Sequence, residues 1–111
     1  MQISISFLAL RSNNIEKLRS FYEQLGLSFH EEQHPPGPRH YSCCLPNLLL
    51  ELYPTTGVEK DRTTLGFQVT ELEQTLGRVQ SYVKKTSFTD EKKQAILQDP
   101  DGRTLILEQL L

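Results

Sequence analysis

The chain has 111 residues, of which 23% are charged and 37% hydrophobic, with a formal net charge of −2. That length suits one domain able to bury a core without staples, and the interspersed charges form no basic stripe of the kind nucleic acid attracts. No apolar run approaches the roughly 20 residues of a membrane helix, and the start MQISISFLALRS lacks a charged leader and a small-residue cleavage site, so neither a membrane nor a signal peptide is expected.

In chain order, Ile3 to Arg11 is rich in apolar and β-branched residues and reads as a strand. Asn13 or Asn14 offers an N-cap. Ile15, Leu18, Phe21, Tyr22 and Leu25 then recur at helical spacing, and Gly26 supplies the stop. Leu27 to Glu32 reads as a second strand. The proline-rich stretch Gln33 to Arg39 is a stiff loop, a fixed rim and not a moving lid. His40 to Leu45 and Leu48 to Tyr53 form a hairpin about Pro46-Asn47.

The second half repeats the order. Thr64 to Val69 alternates polar and apolar residues, as a half-buried strand does. Thr70 with Glu73 makes a capping box for a helix whose buried side is Leu72, Leu76, Val79 and Val83. Ser87 to Thr89 is a short strand. Gln94 to Gln98 and Arg103 to Gln109 form a hairpin about Asp99-Pro100-Asp101-Gly102. The expected fold class is therefore α+β: two βαβββ modules, about 1–54 and 62–111, in a single domain spanning 1–111. Helices cover one face of a mainly antiparallel sheet, and Leu50, Leu52, Leu105 and Leu107 point toward them.

Alternation assigns the other face as well. It receives Phe7, Ala9 and Arg11 from the first strand, and Leu49, Glu51 and Tyr53 from the fourth. A two-residue turn at Pro46-Asn47 pairs Cys44 with Leu49, Ser42 with Glu51 and His40 with Tyr53, so these join it too. Gln68 and Glu108 take the matching positions in the second half. Such a surface is either a solvated sheet face or, if the sheet curls, a cleft for a small molecule. Cys43 and Cys44 are adjacent, form no CxxC or disulfide framework, and suit a reducing, cytoplasmic setting. His30 and His34 would lie about 13 Å apart on an extended strand and read as solvated surface residues.

Several segments are similar to glyoxalase-like domains. The stretch Phe7-Leu8-Ala9-Leu10-Arg11 with Ile15 to Leu27 resembles their opening. Leu49-Leu50-Glu51-Leu52-Tyr53 resembles their fourth strand, Gly66-Phe67-Gln68-Val69 the start of their second module, and Gln98 to Leu107 their closing hairpin. The chain thus resembles the vicinal-oxygen-chelate superfamily of glyoxalases, bleomycin-resistance proteins and extradiol dioxygenases. The resemblance implies a curved sheet around a cleft, and metal ligands at the positions of Phe7, Thr64, Glu51 and Ile106. Only Glu51 is a good donor there; Phe and Ile have none, and Thr is a poor one. No metal or other cofactor is therefore expected.

Two readings remain open. In one, the chain binds a small molecule without catalysis, as antibiotic-sequestering members of the family do, through Arg11, Phe7, His40, Tyr53 and Gln68, with a homodimer completing the cleft. Arg11 matches an arginine that helps glyoxalase I bind its anionic thiol cofactor; an ion pair with Glu51 or Glu108 is the plainer role. In the other, the chain is a lyase or isomerase in which Glu51 or His40 moves a proton. A displaced metal site would then use His40, Glu51 and Glu108. An interaction module that uses the face only for self-association is a third possibility.

Overall fold

A computed structural model describes residues 2–57 and 59–110. The chain divides at Glu59 into two compact units. Each is a βαβββ module, and the fold is α+β.

In the first module, β1 (Phe7–Ser12) leads into α1 (Ile15–Leu25), followed by β2 (His30–Glu32), β3 (His40–Leu45) and β4 (Leu48–Pro54). The strands lie in the order β1-β4-β3-β2. The helix carries the chain across the sheet to its far edge, and two antiparallel returns bring β4 back beside β1, parallel to it. Asn14 caps α1, accepting a 3.1 Å hydrogen bond from the Lys17 N–H. Gly26 ends it at φ +115°, a conformation that costs a residue without a Cβ little.

Ile15, Leu18, Phe21 and Tyr22 form the buried stripe of α1, and Leu10, Tyr41, Cys43, Leu50 and Leu52 are buried in the sheet beneath it. Fully burying a side chain such as Leu18 or Leu52 stabilises the fold by about 1.5–3 kcal/mol. A one-residue slip would turn every one of these sheet residues outward, so the core fixes the register.

The first strand is shorter than its composition suggests. Ile3 and Ile5 are exposed, and β1 begins only at Phe7, opposite Leu49. A strand extends as far as its partner does, and β4 is cut off by the Pro46-Asn47 turn. The second strand is likewise limited to His30–Glu32, the stretch that pairs with β3.

The second module repeats the plan with β5 (Thr64–Gln68), α2 (Leu72–Arg78), β6 (Val83–Phe88), β7 (Lys92–Gln98) and β8 (Thr104–Leu110), in the order β5-β8-β7-β6. The expected capping box does not form. The cap position is Glu71, with no side-chain hydrogen bond. The Leu72 N–H instead donates to Gln109 Oε1 on β8 at 2.8 Å, and Glu73 is drawn to Lys93 Nζ at 2.8 Å. Val83 leaves the helix and opens β6, which runs well beyond the expected Ser87–Thr89. Its Lys84, Lys85, Thr86 and Ser87 are exposed on the sheet edge, a charged and polar edge of the kind that discourages pairing with other chains.

One ion network anchors this module. Arg103 is fully buried, and its guanidinium reaches Asp99 at 3.1 Å, Asp61 at 2.9 Å and Asp101 at 3.3 Å. Among the described residues no helix is long and apolar enough to cross a membrane.

Candidate functional site

The face of the first sheet turned away from α1 is ordered in rows by strand register. Phe7, Leu49 and Cys44 form one row; Ala9, Glu51, Ser42 and His30 form the next. Arg11 pairs with Tyr53, and His40 pairs with Glu32. Four of the residues singled out as ligand-binding candidates, Phe7, Arg11, His40 and Tyr53, thus share this face with Glu51. Phe7 stands 57% exposed at its edge. The Arg11 guanidinium carbon lies 5.6 Å from the centroid of the Tyr53 ring, within cation–π range. Gln68 is placed on β5 of the second module, exposed and in register with Glu108.

His40 is buried on this face, at 2% exposure. Its ring stacks on Tyr53, with centroids 4.3 Å apart and planes 11° apart. Nδ1 lies 3.1 Å from the Pro38 carbonyl. A carbonyl only accepts, so Nδ1 carries the proton and Nε2 points the other way. Around Nε2 stand Glu32 Oε1 at 3.3 Å and Glu51 Oε2 at 3.4 Å, within ion-pair distance, yet neither is aligned for a hydrogen bond. The hydroxyl of Ser42, also buried, makes no hydrogen bond.

Burial and the nearby Glu51 carboxylate hold the Tyr53 phenol above its usual range, so it stays protonated at neutral pH. Glu32 is held below the usual carboxylate range, chiefly by its hydrogen bond to His30 at 3.2 Å.

Glu32 and His34 belong to this cluster, although the sequence reading passes over Glu32 and takes His34 for a solvated surface residue. The loop after β2 turns at Pro35-Pro36, where the Gly37 N–H donates to the His34 carbonyl at 2.8 Å. This folds His34 back until its ring centroid lies 5.6 Å from that of His40. The extended reading that puts His30 and His34 about 13 Å apart takes no account of this turn in the proline-rich loop. His30 and His34 are both exposed, as expected, yet each takes part in the cluster, His30 through Glu32. Glu108, the third member of the displaced metal set that the sequence leaves open as an alternative, sits on β8, where Lys92 Nζ approaches at 3.9 Å and Gln94 at 3.5 Å.

No family model matches the chain, and no curated protein matches it. Solved structures do. The oxidase ChaP-H2 superposes with a TM-score of 0.78 at 16% identity, over 100% of this chain and 96% of that one. TnmS3, an antibiotic binding protein from Streptomyces sp. CB03234, gives 0.77 at 22% identity, over 100% and 99%. A glyoxalase/bleomycin resistance protein/dioxygenase family enzyme from Burkholderia phytofirmans PsJN gives 0.71 at 16% identity, over 96% and 98%.

This chain has the vicinal-oxygen-chelate fold.

At such identities the likeness speaks for the fold alone. The metal set that this fold family implies does not fit the residues here. Phe7 opens β1 and Ile106 lies in the middle of β8, and neither side chain has a donor atom. Thr64 opens β5 with a weak ligand, and Glu51 alone remains.

Proposed function

We propose that this vicinal-oxygen-chelate chain binds a small organic molecule on the Phe7–Arg11–Tyr53 face of its first module, without the ligand set usual in such proteins. The observation that carries this reading is the pairing of an exposed Phe7 with an Arg11 guanidinium held over the Tyr53 ring. Aromatic surface beside a fixed guanidinium suits a planar ligand bearing a carboxylate or phosphate. The existence of an antibiotic binding protein among the solved structures of like fold supports this class of function. The protein would work in the cytoplasm as a homodimer.

A thermal-shift screen of aromatic carboxylates and phosphates tests it, since a ligand that binds only the folded state raises the melting temperature by mass action. Hits should lose their shift in Arg11→Ala and Phe7→Ala. Hits that shift both variants as much as the parent would refute the site.

A second reading is a lyase or isomerase, favoured by the 3.4 Å approach of His40 Nε2 to Glu51 Oε2. Here Glu51 would accept a proton from a substrate held by Arg11. Glu51→Gln should then abolish conversion of a bound hit, followed by NMR, while leaving its binding intact; a hit that is never converted by the parent decides for binding alone.

A further inference from the structure

The donors around His40 converge more closely than a sheet face requires. One atom each from Glu32, His34 and His40 lies within 4.8 Å of the other two. Glu51 Oε2 lies outside that group, although it stands 3.4 Å from His40 Nε2. These residues come from the end of β2, the loop after it, the start of β3 and the middle of β4, and only the folded module assembles them.

The burial of His40 Nε2 without a hydrogen bond is the second, independent observation. With Nδ1 turned to the Pro38 carbonyl, Nε2 faces two carboxylate oxygens at 3.3 and 3.4 Å in a place shut off from water, and neither lies where an Nε2–H would bond to it. A cation set between Nε2 and the Glu32 carboxylate satisfies both at once. Zinc bound tetrahedrally at about 2.0–2.1 Å from N and O donors spaces its ligand atoms about 3.3 Å apart, and the 3.3 Å between His40 Nε2 and Glu32 Oε1 matches that spacing.

We infer that the first module holds a divalent transition-metal ion of the zinc type between Glu32, His34 and His40. Two imidazoles with carboxylates favour zinc and its neighbours over calcium or magnesium, which take oxygen ligands. The surroundings are those of a metal site. Pro38 fixes the His40 tautomer through Nδ1, and His30 holds the second oxygen of Glu32 at 3.2 Å, leaving Oε1 for the ion. The inference goes beyond the ligand reading and does not depend on it.

Zn²⁺ titrated into tag-free, chelator-stripped protein by calorimetry provides the test, with no organic ligand present. One equivalent should bind. His34→Gln and His40→Gln should each weaken binding by about tenfold or more, whereas Glu91→Gln, at an exposed site in the second module, should bind as the parent does. His34 is exposed, so His34→Gln remains an informative variant even if His40→Gln fails to fold. Substoichiometric uptake by the parent, or unchanged affinity in His34→Gln, would overturn the site. Arg11→Ala should keep its zinc while losing the organic ligand, so that failure of one reading is distinguishable from failure of the other.

Discussion

The imidazole of His40 lies flat on the phenol ring of Tyr53, 4.3 Å between centroids. The stack covers one side of a buried ring whose Nε2 faces two carboxylates. Tyr53 therefore acts as the wall of the site as well as a partner of Arg11. Tyr53→Phe keeps the ring and should leave stability within about 0.5 kcal/mol. Tyr53→Ala removes the wall and should cost about 1–3 kcal/mol, from lost burial and lost ring stacking. Urea denaturation of the two variants checks this; equal stability would mean that the stack contributes nothing.

Arg103 is expected to be the most sensitive charged residue of the second module. Its guanidinium is buried against Asp99, which is itself buried, and is joined by Asp61 and Asp101. Arg103→Ala would strand the Asp99 carboxylate without its cation, and removing one partner of a buried pair costs about 3–5 kcal/mol. Denaturant midpoints should show this loss, with Arg103→Lys falling between variant and parent because a point charge cannot reproduce the guanidinium fork.

Glu16 and Tyr41 contribute to the pH response of the first module at both ends of the range. The Tyr41 hydroxyl donates to Glu16 Oε1 at 2.6 Å. This bond is the main reason that the Glu16 carboxyl is held below its usual range and the Tyr41 phenol above it. A lowered carboxylate contributes stability above its unfolded value and loses it as pH falls through the folded value; a raised phenol contributes below its unfolded value and loses it as pH rises through the folded one. Thermal melts across pH should therefore decline both in acid below about pH 4.3 and in alkali above about pH 10, and Tyr41→Phe should flatten both arms. An unchanged profile in that variant would show that the bond is not formed in solution.

Gly102 closes the last hairpin at φ +91°, and a Cβ there would run into the aliphatic stem of Lys60. Gly102→Ala should destabilise the protein by about 1 kcal/mol or more through the positive φ alone. If the Lys60 stem adds to the cost, Lys60→Ala in the same chain should recover part of it. Comparison of the three variants by differential scanning calorimetry separates the two contributions.

Much of the fold was legible because its signals are local. The α1 stripe from Ile15 to Tyr22, the stop at Gly26 and the alternation of Leu50 and Leu52 with Glu51 and Tyr53 follow from periods of 3.6 and 2 that the chain displays wherever one face is buried. The pairing of Ser42 with Glu51 followed from a two-residue turn. Edge and end effects were less legible. The Ile3 segment had strand composition but no partner, β6 had a partner but no apolar alternation, and the cap of α2 came from Gln109, far along the chain.

The sequence by itself determined the two βαβββ modules and the set of side chains on the face that carries Arg11, Glu51 and Tyr53, since strand alternation is a property of neighbours in the chain. Only the tertiary structure decided that Glu32 and His34 meet His40, and that Nε2 is buried there without a hydrogen bond. That convergence depends on the path of an irregular loop, and loop paths are set by packing and backbone hydrogen bonds that leave no period in the sequence to read.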